Sequence, residues 1–334
     1  MNVYSTDSSF QNSELGDVAP APESTLSHRH IGWRRQALLL VAIIGCLTIF
    51  LLARAMANNP HLAAEWKRGA EGHLELLDTS RAELKPFIGK ELDGLIGADG
   101  LFVPLGSLAV TQSVRWITDD ASRQALIETR LAAARALESG TAIQLRFTDG
   151  STAILRPAPR GYSALGAMFW LMGAFGMVLF LVGWIVPLVQ PQTRNLLYAV
   201  MAHAQAGQLL LTAVASVPAL ALPSLIVLQE ANLHMVLDAL TGAAIVHATV
   251  LHPTRLKYRG LIAGSAWSLA LVHSVWLFSS TMTQSWWWSQ ALLIGDGLAC
   301  IALLSWSQRI EPHPFAVVMQ RFAFVTVSTL ALLT

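Results

Sequence analysis

Residues 163–189 read SALGAMFWLMGAFGMVLFLVGWIVPLV, without one charged side chain. The hydrocarbon core of a bilayer is about 30 Å thick and takes roughly 20 apolar residues as helix. This stretch therefore reads as a membrane span. Downstream, further apolar runs follow at 196–217, 233–251, 261–282, 286–306 and 322–334, and one precedes it at 36–57. The fold class expected is mainly α, a polytopic membrane helix bundle of about seven spans, with a small α+β domain between the first and second.

Composition agrees with that reading. Of 334 residues, 54% are hydrophobic and 13% charged, with a net charge of +1. A soluble domain is about one quarter charged. The charge is also uneven, with 12 Lys/Arg and 13 Asp/Glu in residues 58–161 but only 6 and 4 in 162–334. Neither a soluble enzyme nor a nucleic-acid binder fits such numbers. The two cysteines, Cys46 and Cys300, lie in apolar runs and form no metal-ligand or disulfide pattern.

Short loops rich in Lys and Arg stay cytoplasmic. Arg34 and Arg35 precede the first run, Arg194 follows the second, Arg255, Lys257 and Arg259 follow the fourth, and Arg309 and Arg321 follow the sixth. The alternate connectors, 218–232 and 281–287, contain no Lys or Arg. Seven spans with the N-terminus inside put every basic loop on one side and residues 58–161 outside. Trp33, Trp184, Trp286, Trp287, Trp288 and Trp306 fall at run ends, where indoles prefer the headgroup level. Ala55-Met56-Ala57 has the form of a signal-peptidase site, but the long apolar stretch and the polar residues before it favour an uncleaved anchor.

Four segments result: a disordered cytoplasmic tail (1–34), a first anchor (35–57), an extracytoplasmic α+β domain (58–161) and a multi-span bundle (162–334). Within the domain, Asp120–Glu138 has high helix propensity, with Asp119 or Asp120 as its cap and Gly140 as its stop. AIQLRF and STAILRP flank an Asp149-Gly150 hairpin signal. Residues 101–105 and 113–118 read as strands, and 62–77 as a helix continuing from the first span. His61 and His73 read as solvent-facing and Asp119-Asp120 as a cap. Arg115-Trp116 reads as ordinary strand packing or as a contact for an anion or ring.

Ionisable groups inside spans are expensive and stand as functional candidates. They are His203, Asp238, His247, His273 and Asp296, with the amides Gln205 and Gln208. At about 1.5 Å per residue, His273 and Asp296 lie roughly 12 Å below the outer helix ends and Asp238 roughly 8 Å, so the three are expected in one layer. Four uses compete: interhelical polar packing, a ligand- or proton-sensing pocket, a bis-histidine haem on His203 and His247, and an intramembrane aspartyl protease on Asp238 and Asp296. The haem needs matched depths, and these histidines are offset by roughly 6 Å. The protease signature Gly-x-Gly-Asp fails at Leu293-Ile294-Gly295-Asp296.

The stretches SVRWITDDASRQ, RGYSALGAMFWLMGAFGMVLFLVGWIVPLVQPQTRNLLYAVMAHAQAGQLLL and AAIVHATVLHPTRL, with the anchor–domain–bundle order, resemble the amino-terminal sensor region of bacterial membrane-bound sensor histidine kinases of competence-type architecture. ESGTAIQLRFTDGSTAILRPAPR is similar to the closing hairpin of a bacterial PDZ-like domain. The resemblance implies a signal-sensing input module in the bacterial inner membrane. It implies a homodimer, a lipid environment, an unidentified signal ligand, a response regulator as downstream partner, and a kinase core using ATP and Mg beyond Thr334. No phosphoacceptor-histidine box or ATP lid lies in this chain, so under the resemblance no catalytic or metal residue and no cofactor are expected in it. The last run has 13 residues, about 20 Å of helix, which leads one to expect more chain after it. Signal-sensing candidates are Asp238, His273, Asp296, His203, Arg115 and Trp116. A membrane transporter or intramembrane enzyme using Asp238, His273 and Asp296 is the alternative, and a structural assembly subunit a third class.

Overall fold

A computed structural model describes residues 27–69, 72–106, 113–114, 117–217, 220, 222–279 and 284–333. The first helix, α1 (Ser27–Asn58), leads into strands β1 (Pro60–His61), β2 (Ala64–Arg68), β3 (Leu74–Thr79), β4 (Glu91–Ile96) and β5 (Phe102–Pro104). Helix α2 (Asp120–Glu138) and strands β6 (Ile143–Phe147), β7 (Thr152–Leu155) and β8 (Ala158–Pro159) complete the inserted domain. Six helices follow: α3 (Gly166–Val189), α4 (Thr193–Ala215), α5 (Ser224–Leu251), α6 (Arg259–Leu277), α7 (Ser285–Ile310) and α8 (Pro314–Leu333).

Among the described residues six helices are long and apolar enough to cross a bilayer, carried by α1 and α3 to α7. The chain is a helical, multi-pass membrane protein by that measure. The seventh expected run, 322–334, overlaps α8, which is not one of the six; residue 334 lies outside the described part. The expected tail to residue 34 overlaps α1, which begins at Ser27; residues 1–26 lie outside the described part.

The chain leaves and re-enters the bundle at one point. Strands β1 and β8 pair antiparallel, Pro60 opposite Pro159 and His61 opposite Ala158, so the end of α1 and the start of α3 are tied together. The two helices then pack side by side. A Cβ on Gly45 would lie 2.8 Å from the Phe180 ring, so only glycine permits that approach.

The domain sheet is antiparallel, in the order β2-β3-β4-β6-β7, with β5 paired to the second half of β4. Leu74, Leu76, Leu92, Leu95, Leu145 and Phe147 point to one face and pack against Ala133, Ala134 and Leu137 of α2. The 148–151 turn joins β6 and β7 in the expected hairpin. Two expectations are corrected. Residues 62–77 are not a helix but β2, part of β3 and their connection. The helix-favouring Ala, Leu and Glu there are overridden by pairing along β3 and by burial of Leu74 and Leu76 at 0% exposure. Residues 113–118 form no strand among those described.

In the bundle α5 is central, touching α4, α6 and α7 along its length and α2 at its start. It begins nine residues before the expected 233, because Gln229, Glu230 and Asn232 interrupt the apolar run without ending the helix.

Candidate functional site

The domain and the bundle meet along α2. Its start is capped as expected, the Ser122 amide donating to Asp119 Oδ2 at 2.7 Å. Arg123, Leu126, Arg130, Ala133 and Leu137 recur every three or four residues and are buried, so they form one stripe. The C-terminal part of that stripe fills the sheet's core. The N-terminal part faces the bundle, where Leu126 packs with Ala231 of α5 and with Val114.

Polar contacts fix this docking. Arg123 donates from Nη1 to Ser285 Oγ at 2.6 Å, from Nε and Nη2 to the Ile117 carbonyl at 3.1 and 2.8 Å, and pairs with Asp120 at 3.0 Å. Ser285 opens α7, and the preceding Gln284 amide donates to Asp120 Oδ2. At the other end of α2, Glu138 Oε1 accepts from the Ser224 amide, at the start of α5, at 3.0 Å. Helix α2 thus straddles the ends of α5 and α7.

Between those ends sits a buried pair of opposite charges. Arg130 is 6% and Glu230 2% exposed. Burial lowers the Arg130 pKa, and the charge of Glu230 acts in the opposite sense. The Ser113 hydroxyl donates to the Glu230 carboxylate. From Glu230 the polar line descends α5 in steps of four residues, through His234 at 3% exposure to Asp238. Gln208 of α4 bridges both. Its Nε2 donates to Asp238 Oδ1 at 2.8 Å and to the His234 carbonyl at 3.0 Å, while its Oε1 meets His234 Nδ1. One helix face therefore carries polar residues at every fourth position, Glu230, His234 and Asp238, from the domain joint into the bundle.

Beside this line lies a cavity of about 470 Å³, bounded by Leu52, Leu210, Val214, Leu233, Gln229 and Glu230 among others. It is within the size range of small-molecule sites. Gln229 Oε1 and Glu230 Oε1 are buried and have no hydrogen-bond partner among the described residues. The site offers acceptors in an apolar wall, and a ligand with a donor group complements it.

The residues expected to sense a signal are dispersed. Asp238 bonds to α4 through Gln208. His273 of α6 bonds to Ser289 Oγ of α7 at 2.9 Å. Asp296 of α7 lies against Gly242 of α5, where a Cβ would come within 2.2 Å of Oδ2. Ser289 and Asp296 are seven residues apart on α7, about 10 Å of rise, and Asp238 is about 6 Å from the level of Gly242. The expected single layer of Asp238, His273 and Asp296 does not form; each has its own neighbour. His203 is edge-on to Phe180 and Trp184 of α3 and bonds to the Ala199 carbonyl at 2.5 Å. His247 accepts from Trp267 Nε1 of α6 at 3.1 Å, so the two histidines face different helices and share no ligand position. Arg115 and Trp116 lie outside the described residues. No group of three or more His, Cys, Asp or Glu suited to a metal ion exists among the described residues.

Glu230 and His234 belong to the candidate site and were not among the residues the sequence singled out. The i, i+4, i+8 spacing of Glu230, His234 and Asp238 was the available signal. A span starting at residue 233 leaves Glu230 in a connector, which breaks the spacing although His234 lies inside the run. No family model, curated protein or solved structure matches the chain.

Proposed function

We propose that the chain is the signal-sensing and membrane-anchoring input module of a two-component sensor histidine kinase of the bacterial inner membrane. In this reading the inserted domain faces outward, and the kinase core, with its ATP and Mg, lies beyond Thr334. A homodimer would pass the signal to a response regulator. The observation that carries it is the buried polar line from Arg130 through Glu230 and His234 to Asp238 and Gln208. A ligand that donates to Glu230 in the adjoining cavity competes with Arg130 and Ser113 for the same carboxylate. That shifts α2 against α5, and helix displacements of about 1–2 Å are an established form of switching. The domain's antiparallel sheet, with its 143–155 hairpin, supports the PDZ-like reading only at the level of shape.

Arg130→Met, Glu230→Gln and the double variant of the full chain in lipid nanodiscs test the coupling by hydrogen exchange. Removing one member of a buried charge pair costs about 3 to 5 kcal/mol, and removing both costs less than the sum. The reading expects altered protection in the connectors 252–258 and 311–313, at the far end of the bundle. Changes confined to α2 and the first two turns of α5 would sink it. The coding sequence after Thr334 tests the output: a phosphoacceptor-histidine box and an ATP lid are expected.

A further inference from the structure

At the bundle end remote from the domain, a groove of about 760 Å³ is lined by Arg194, Arg255, Arg259, His247 and His252, with Leu251 at its apolar edge. No Asp or Glu lines it. Three of the six Lys and Arg in residues 162–334 thus converge on one depression. None of the three arginines makes an ion pair among the described residues. Two helices start here as well. The Arg194 and Arg259 side chains rise from the first turns of α4 and α6, and neither helix has a side-chain cap at its N-terminus. The Asn195 and Arg259 amides are taken by the Gln192 and Leu256 carbonyls, and the positive ends of the two helix dipoles add to the potential.

We propose that this groove binds the phosphate headgroup of an anionic membrane lipid. A guanidinium fork matches phosphate oxygens in a bidentate manner, and Arg194 at the start of α4 with Arg255 before and Arg259 at the start of α6 would grip one phosphate from two sides. Basic pockets between membrane helices suit such headgroups. The surroundings favour a lipid over a free phosphate. Leu251 lines the groove, Leu261 beside it is 76% exposed and Tyr258 is 53% exposed. Those side chains offer acyl chains an apolar path directly below the arginines, and an aromatic ring at headgroup level is in its preferred place. This site is separate from the domain joint and stands whether or not the sensor reading does.

Native mass spectrometry of the full chain from detergent tests it, with added phosphatidylglycerol, phosphatidylcholine, or glycerol phosphate as probes. Phosphatidylglycerol is expected to be retained at least tenfold more than phosphatidylcholine. Arg194→Gln/Arg255→Gln/Arg259→Gln is expected to abolish that preference, while Arg321→Gln leaves it intact. Arg255→Gln alone, in a connector, is expected to weaken it severalfold and serves if the triple variant does not fold. Equal retention of the two lipids, or an undiminished preference in the arginine variants, overturns the proposal. Competition by glycerol phosphate at the same concentration as the lipid overturns the lipid in favour of a soluble phosphate ligand.

Discussion

At Gly242 helix α5 comes into close contact with Asp296 of α7. A methyl group there would lie 2.2 Å from Asp296 Oδ2 and 3.1 Å from its Cγ, so the carboxylate would have to rotate or the helices part. Overpacking of this kind costs about 1 to 3 kcal/mol. Gly242→Ala is expected to lower the thermal midpoint of the protein in nanodiscs, and Asp296→Ala in the same chain to restore most of the loss. An unchanged midpoint for Gly242→Ala would show that α5 and α7 are not held this closely. Asp296 is visible in the sequence as an intramembrane acid, and Gly242 as a small residue. Their contact is not, because it depends on how the two helices are rotated about their axes.

The two-stranded ribbon β1–β8 joins the domain to α1 and α3, and its His61 makes that joint pH-dependent. Burial lowers the His61 pKa from its ordinary 6.5, and the positive charges of Arg160 and Arg81 lower it further. The bond from Nδ1 to the Ala158 carbonyl, at 3.0 Å, acts in the other direction. The folded protein therefore takes up this proton at lower pH than the unfolded chain. The stability that neutral His61 provides is complete above pH 6.5 and declines as the pH falls below it. Thermal unfolding at pH 7.5 and 5.5 is expected to show a lower midpoint at pH 5.5, and His61→Asn to flatten part of that slope; identical slopes would exclude the residue. His61 was expected to face solvent, and the long-range pairing with Ala158 leaves it half-buried. Local signals elsewhere read correctly: Asp119 caps α2, and the Asp149-Gly150 turn closes the β6–β7 hairpin. They read correctly because caps and tight turns are settled within a few residues. The 62–77 segment misled because its strands are fixed by pairing with each other and with β4, contacts outside the local window that sets helix propensity.

For the whole molecule, connectors with Lys or Arg and connectors without either alternate along the bundle. The arrangement expects Glu83→Cys, in the domain, to be labelled by an impermeant maleimide in intact spheroplasts and Lys257→Cys only after lysis. Labelling of both from one side would overturn the orientation. Hydrophobic length and charge placement are one-dimensional properties, so the sequence alone determined that the chain is a multi-pass membrane protein with one polar domain inserted after the first helix. The tertiary structure decided what that domain touches. It set α2 across α5 and α7, buried both Arg130 and Glu230 at that joint, and separated Asp238, His273 and Asp296 into three unrelated contacts. Those outcomes depend on helix rotation, tilt and overhang, since an α-helix turns by 100° per residue and side chains at equal depth meet only when their faces do.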